Sequence, residues 1–155
     1  MIVANTSYQI ATWADALFAM DRQWWEVHLN EVNRVFTGAR YSTNPLHRRF
    51  QTKRLTEFNS YGNSGAACIS LAAAGGAARI ILLGYDCQKT DGKAHWHGDH
   101  PPSLGNAGQI NKWHEKFAKQ AKDLSNLEII NCSRATSLTC WPRQNLEQIL
   151  EQTPA

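Results

Sequence analysis

The stretch Asn63–Gln88, NSGAACISLAAAGGAARIILLGYDCQ, decides the fold that we predict from this sequence. Its first half is small and apolar at helical spacing, and Gly75–Gly76 follow, where glycine adopts the positive φ that ends a helix. The run Arg79–Tyr85 then predicts a short strand that is buried on both faces of a parallel sheet. A helix, a tight turn and a buried strand form half of a βαβ unit, so the stretch predicts an α/β fold.

Polar residues follow the predicted strands at the edge where α/β sheets bind their ligands. Asn5, Asp21 and Asp86 each stand at the end of a predicted strand, and Gly84 precedes the last of them. We interpret at least two of these polar side chains as ligand contacts. The alternative is that each one caps a helix or forms a turn.

Asn63, Ser64 and Gly65 stand where the central helix is predicted to begin. Backbone N–H groups at a helix start can bind an anion, which makes these three residues candidates for ligand binding. Plain capping of the helix explains the same residues equally well.

The composition is that of a globular chain that forms a single domain over residues 1–155. Hydrophobic residues make up 43% of the sequence, charged residues make up 19%, and the formal net charge is +3. This charge permits an anionic ligand and does not call for nucleic acid as a partner. The four cysteines show no CxxC pairing, which favours reduced thiols in a cytoplasmic protein. No apolar run has the length of a membrane span, so we expect no membrane partner.

The stretch Thr43–Tyr61 is the most basic and the least regular part of the sequence. It contains five residues that are cationic or can become so, namely His47, Arg48, Arg49, Lys53 and Arg54. We predict a long surface excursion that either clamps a phosphate or an acidic partner, or is a solvated basic face.

The predicted loop Lys89–Gly108 contains the cluster His95-Trp96-His97-Gly98-Asp99-His100. Imidazoles and a carboxylate at this spacing can hold a divalent metal, and the spelling HxHxDH matches the motif of metallo-β-lactamase-like hydrolases. Downstream, only His114 is available as a further histidine ligand, and it lies on a predicted helix. The alternatives are a metal-free active-site loop with one histidine as acid or base, and a purely structural role.

The order of motifs along the chain resembles one group of proteins, the Rossmann-like bacterial sialyltransferases and the related pterin pyrophosphokinase-like domains, with phage homologues. The resemblance spans Met1 to about Leu150 and depends most on Ser64-Gly65, on Gly84-Tyr85-Asp86 and on the segment Asn131–Leu138. It implies a nucleotide- or nucleotide-sugar-binding domain that transfers a glycosyl or pyrophosphoryl group, with no obligatory metal cofactor.

The resemblance also implies a role for individual residues. Asn5 would lie near the nucleotide or donor sugar, Ser64 and Gly65 beside the nucleotide, and Gly84 and Asp86 at the nucleotide-side strand end. Ser137 would lie near the phosphates, and one of His95, His97 and His100 would be the general base.

The chain departs from this group at its start, because the strand and G-x-G-P-S loop of the group have no counterpart here. We therefore expect a three-layer Rossmann-like fold with a mostly parallel sheet, either complete or truncated at the first βα unit. Either Met1–Ala4 takes the place of the first strand, or a neighbouring chain covers the edge in a homo-oligomer, or the sequence is a fragment.

Two other functions stay open at this point. One is a non-catalytic, phage-type binding protein that sequesters a nucleotide or grips a protein partner through the basic segment 47–54. The other is a metal-dependent hydrolase that uses the HxHxDH cluster.

Overall fold

The fold is described from a computed structural model, which describes residues 1–43, 46, 48–88, 104 and 110–151. The chain divides into two compact units, and each is described by itself. The first unit holds the described residues up to Ala72 together with Leu104, and the second holds residues 73–88 and 110–151. The single domain expected over residues 1–155 stays a prediction.

The first unit contains a parallel sheet of four strands in the order β1-β2-β3-β4. The register sets Val3 beside Leu17 and Leu17 beside Arg40. The strands are β1 (Ile2–Ala4), β2 (Ala16–Phe18), β3 (Ala39–Ser42) and β4 (Lys53–Arg54).

Helices cover both faces of this sheet, because alternate side chains of a strand point to opposite faces. On one face, Val3 and Leu17 belong to an apolar cluster with Trp25 of helix α1 (Arg22–Val35). On the other face, Phe18 packs with Ala67 of helix α2 (Ser64–Ala74). The first unit therefore has the three layers that the sequence predicts.

The side chain of Arg40 is a buried cation between α1 and the sheet. Arg40 of β3 is 8% exposed and donates hydrogen bonds to Asn33 Oδ1 (2.6 Å) and to the carbonyls of Val32 and Phe36 (both 3.4 Å). These carbonyls lie at the end of α1, where the helix dipole is negative and stabilises a cation. Burial lowers the pKa of the Arg40 guanidinium from its usual value.

The second unit contains the parallel pair β5 (Arg79–Leu82) and β6 (Glu128–Asn131), with helices α3 (Ile110–Asp123) and α4 (Leu146–Glu151). Ile149 of α4 packs against Ile130 and Ile81 of the two strands. The ring of Phe117 on α3 meets the ring of Tyr85 edge-on at 5.9 Å and that of Trp141 at 5.6 Å.

The predicted extent of β5 is wrong at its end. The strand stops at Leu82, Leu83 is 48% exposed, and Gly84 turns the chain with a φ of 74°. Burial on both faces is also not reached, because Ile80 and Leu82 are buried whereas Ile81 is only partly so. The stop of α2 occurs as predicted, with Gly76 at a φ of 82°.

All strand pairs of the described chain are parallel, which confirms the predicted α/β class with a mostly parallel, Rossmann-like sheet. In the described ranges, no helix combines the length and the apolar character that crossing a bilayer requires.

Candidate functional site

A cleft of about 780 Å³ opens in the second unit where β5 and β6 end. This is the edge at which α/β sheets bind ligands, and the cleft is lined by Gly84 and Asp86, whose predicted ligand contacts stay predictions. The other lining residues come from the end of β5, from the segment after β6 and from the start of α4; they are Leu83, Cys132, Ser133, Arg134, Arg143, Gln144, Asn145, Leu146 and Glu147.

Side chains that follow β6 hold the backbone of the loop that follows β5. The Tyr85 N–H donates to Ser133 Oγ at 2.7 Å. The Tyr85 carbonyl accepts from Thr136 Oγ1 at 2.7 Å and from the amide of Asn131 at 3.3 Å. Asn131 is fully buried, and its Oδ1 accepts from the Ser133 N–H at 3.0 Å. Its side chain therefore bonds to the backbone of both segments of this polar network.

Ser137 continues the same set of bonds one step along the loop. Its N–H donates to the Asp86 carbonyl at 2.8 Å, and its hydroxyl donates to the Cys87 carbonyl at 2.7 Å. His114 Nε2 lies 2.8 Å from the same hydroxyl oxygen. A serine hydroxyl has one proton, and Ser137 donates it in the hydrogen bond to the Cys87 carbonyl. The hydroxyl oxygen therefore accepts from His114, which is assigned the Nε2–H tautomer. The predicted contact of Ser137 with a phosphate stays a prediction.

The loop that these bonds hold has an uncommon backbone conformation. Gly84 has a φ of 74°, and Cys87 has a φ of 51°, although it has a side chain. The left-handed region costs about 1 kcal/mol for such a residue and is kept where surrounding contacts fix the backbone. The bond from Ser137 to the Cys87 carbonyl is such a contact.

The charged groups of the cleft have both signs. Arg143 donates from Nε to the Ser133 carbonyl at 3.2 Å and from a terminal nitrogen to the Arg134 carbonyl. A guanidinium has five N–H donors, so these two bonds fix its plane without using all of them. Asp86 and Glu147 supply carboxylates to the same lining.

The cysteine thiols near the cleft are held in the neutral form. Burial, and then the neighbouring Cys140, raise the pKa of Cys87 to about 11. Burial, followed by Glu147, also raises the pKa of Cys132. All four cysteines are free thiols, and Cys68 and Cys132 are buried. A neutral thiol is a weak nucleophile, so these residues do not offer thiolate chemistry near pH 7.

The other predicted ligand residues lie in the first unit. Asn5 follows β1 with a φ of 47° and begins a short 3₁₀ turn, Asn5–Gln9. Asp21 is the exposed residue before α1, and its carbonyl accepts from the Trp25 N–H at 3.2 Å. Asn63 Oδ1 accepts from the Ala66 N–H at 3.1 Å, which is a capping bond at the start of α2.

The first unit brings Asn5 and Asp21 to one edge of its sheet. Ala4 and Met20, at and just beyond the ends of β1 and β2, pack against the cluster that contains Ala67 and Cys68 in the first turns of α2. Asn5 and Asp21 therefore lie at the same edge, because they follow neighbouring parallel strands, and the segment Asn63–Gly65 begins the helix that packs on this sheet. Whether they bind a ligand, and whether they share a crevice with Gly84 and Asp86, stays a prediction.

His95, His97 and His100 lie outside the described residues, so their predicted role as base or metal ligands is not tested. Among the residues that the structure does describe, no group of three or more histidine, cysteine or acidic side chains is placed to hold a metal ion.

Several polar residues around the cleft were not named as site residues from the sequence, although four of them lie in the segment Asn131–Leu138 that carries the resemblance; they are Asn131, Ser133, Arg134, Thr136, Arg143, Gln144, Asn145 and Glu147. A signal for four of them was present in the run NCSRATS, because a dense polar run directly after an apolar strand is typical of a strand-end site. Arg143 lies well beyond this run and has no such signal.

Compared with known proteins, the chain matches no family model, no curated protein and no solved structure. The resemblance to the sialyltransferase and pterin pyrophosphokinase-like group stays a prediction.

Proposed function

We propose that the second unit binds a nucleotide or nucleotide-sugar in the cleft at the ends of β5 and β6, as part of a transferase-like domain. The observation that supports this most is the presence of Asp86 and Arg143 in the lining of one cleft at the ligand-binding edge of a parallel sheet. The volume of about 780 Å³ lies within the range of small-molecule sites.

The mixed charge of the lining favours a ligand with two kinds of polar group. A guanidinium such as that of Arg143 binds phosphate oxygens through paired N–H donors. A carboxylate such as that of Asp86 repels phosphate and accepts hydrogen bonds from sugar hydroxyls or an amino group. A nucleotide or nucleotide-sugar has both, whereas the only hydrogen-bond donor of inorganic phosphate is a P–OH on the charged group itself.

The loop that holds Asp86 is fixed before any ligand arrives. The bonds from Ser133, Thr136 and Ser137 to the backbone of residues 85–87 set its path. A site that needs no ordering on binding loses less conformational entropy, which supports binding of a small ligand.

Group transfer would need a base that takes a proton from the acceptor hydroxyl while the phosphate of the nucleotide departs. The resemblance to the sialyltransferase group implies that one of His95, His97 and His100 is this base. Binding and catalysis are therefore separate claims, and a titration with nucleotides tests binding.

Isothermal titration of the full chain with CMP-, UDP- and GDP-linked sugars, ATP and inorganic phosphate tests the proposal. We expect heat from at least one nucleotide, and an affinity about tenfold lower in Arg143→Gln, since a hydrogen bond to a charged group contributes about 1.5–3 kcal/mol. Asp86→Asn should weaken the nucleotide and should not weaken inorganic phosphate, because the substitution removes a negative charge that repels it.

The matched control is Arg48→Gln, which removes an exposed guanidinium of the first unit. Thermal melting of each variant establishes that it is folded. Absence of heat from every ligand, or an equal loss in Arg48→Gln and Arg143→Gln, would contradict binding in this cleft.

A further inference from the structure

Four exposed or partly engaged cations lie along one border of the first unit, and we name them the basic edge: Arg48, Arg49, Lys53 and Arg54. Strand β4 is the last strand in the sheet order, and both of its side chains are exposed. Arg48 and Arg49 belong to a short 3₁₀ turn just before it and are exposed as well.

The basic edge keeps a positive formal charge when the acidic residues in contact with it or next in sequence are counted. Glu26 is shared by two arginines, with Arg22 Nε at 2.9 Å and a terminal nitrogen of Arg49 at 3.4 Å. The basic edge together with Arg22, Glu26 and Glu57, the next acid in sequence after β4, has a formal charge of +3. This equals the formal net charge of all 155 residues, so the remaining residues cancel.

Aromatic rings hold two of these cations in place. The Arg49 guanidinium lies 4.7 Å from the centroid of the Phe50 ring, and the Lys53 ammonium lies 5.8 Å from that of Tyr41. Each contact attracts the cation to the face of the ring and restricts the side chain. A partner that binds these cations therefore has less side-chain entropy to overcome.

We propose that an extended acidic segment of another protein docks on the basic edge, with its main chain beside β4 and its carboxylates against the four cations. An outer strand presents backbone N–H and C=O groups that can pair with an added strand. Carboxylates on that strand would add charge-assisted hydrogen bonds to arginine and lysine. The peptide thus uses both features of this border, its backbone and its charge.

A single-stranded nucleic acid fits the same border less well. Proteins that bind single strands stack the bases on exposed aromatic rings in addition to contacting the phosphates. At the basic edge, Phe50 is fully buried and Tyr41 is packed against the cluster of Phe18, so neither of these rings is a free stacking platform. Within the part of the chain that the structure describes, the basic edge therefore offers cations, and the two rings beside them do not offer a place for bases.

Fluorescence anisotropy of a labelled peptide of alternating Glu and Thr, titrated with the full chain, tests this docking. The test variant combines Lys53→Glu with Arg54→Glu, and the control combines Lys112→Glu with Lys122→Glu on α3. Both pairs are exposed and change the charge equally. We expect peptide binding to the unmodified chain that is about tenfold weaker in the test variant and nearly unchanged in the control.

Two further titrations distinguish this docking from attraction by net charge and from nucleic-acid binding. The state of association of each variant distinguishes it from protection of the strand edge. A peptide of alternating Lys and Thr should not bind, and an oligo-dT of matched charge should bind more weakly than the acidic peptide. Equal losses in both variants would mean that only net charge matters and would overturn the proposal. Tighter binding of oligo-dT would overturn it in favour of nucleic acid. No peptide binding, with self-association appearing in the test variant, would show that these cations only protect the strand edge from aggregation.

Discussion

In both units of the molecule, polar residues follow the ends of parallel strands, but the contacts that fix these residues differ between the units. In the first unit, the ends of β1 and β2 pack against α2 through apolar side chains, and Asn63 caps the helix beside them. In the second unit, the loop after β5 is held by hydrogen bonds between its backbone and the side chains of Ser133, Thr136 and Ser137. The comparison shows that parallel strand ends in the two units are fixed by different kinds of contact.

The difference has an energetic basis. Apolar packing is non-directional, so it stabilises the first unit without fixing the orientation of a polar side chain at the strand end. Hydrogen bonds to the backbone are directional, and they determine where the chain of the β5 loop runs. We therefore expect substitutions in the first unit to change stability most, and substitutions around the cleft to change stability and ligand binding together.

The largest expected effect is in the apolar layer of the first unit. Trp25 is fully buried, meets the ring of Trp24 edge-on at 5.1 Å and donates to the Ala19 carbonyl at 3.0 Å. Trp25→Ala should lower the free energy of unfolding by about 4 kcal/mol, because it removes a large side chain and leaves a cavity. Urea unfolding measures this change. Trp13→Ala, at a residue that is 69% exposed, is the control and should stay within about 0.5 kcal/mol.

An intermediate effect is expected at the polar clamp of the second unit, which is the set of bonds from Ser133, Thr136 and Ser137. Thr136→Val keeps the shape of the side chain and removes the donor to the Tyr85 carbonyl and the acceptor for the Leu138 N–H, which lies at 3.1 Å. We expect a loss of about 2 kcal/mol in unfolding free energy, because the Leu138 N–H loses this acceptor and the Tyr85 carbonyl keeps only the longer bond from Asn131.

The same variant should weaken the proposed nucleotide binding, which isothermal titration measures. Exposed Thr139→Val is the control and should change neither the stability nor the affinity. Lower stability with unchanged ligand affinity would mean that the clamp stabilises the fold and does not contribute to ligand binding.

The smallest expected effect is a dependence of stability on pH in the first unit. Hydrogen bonds from Tyr8 (2.6 Å) and Gln9 (3.0 Å) hold the pKa of Glu31 below its usual value. A carboxyl with a lowered pKa in the folded state stabilises the fold above its unfolded pKa, and this contribution is lost as the pH falls through the folded value. Glu31 is only partly buried, so solvent screening keeps the effect small.

Tyr8→Phe tests this prediction because it removes the first of those two bonds. Unfolding free energies from about pH 7 down to about pH 3 should fall less steeply in the variant than in the unmodified chain. Parallel curves for the two proteins would contradict the assignment of the lowered pKa to the Tyr8 hydroxyl. Burial and Glu31 both raise the pKa of Tyr8 itself, so this hydroxyl stays protonated over the whole range.

The elements that follow a repeating pattern could be predicted from the sequence. The apolar spacing of α2 and the glycines after it place the helix and its end, and the apolar run after them places β5. β4 could not be predicted, because it has two residues and both side chains are exposed, which leaves no apolar alternation to recognise. The exposure of Leu83 was missed for a related reason, since an apolar run does not reveal where its strand stops.

The candidate site could be predicted only where it depends on strand ends. Gly84 and Asp86 directly follow an apolar run, and the general rule for α/β sheets places them at the binding edge. The clamp could not be predicted, because its bonds join side chains to backbone atoms far away in the sequence, such as Thr136 to Tyr85. A backbone acceptor has no residue-specific signature, so no sequence pattern announces such a pair.

This use of backbone atoms has a consequence for how the protein can change over generations. The contacts that fix the β5 loop are made to N–H and C=O groups, which every substitution except proline preserves. The side chains at positions 86 and 87 can therefore be substituted while the backbone of the loop keeps its path. The replacement at Cys87 has to tolerate a positive φ, as asparagine and glycine do. A library randomised at these two positions, on an unaltered NCSRATS segment, would be a direct starting point for evolving new ligand preferences.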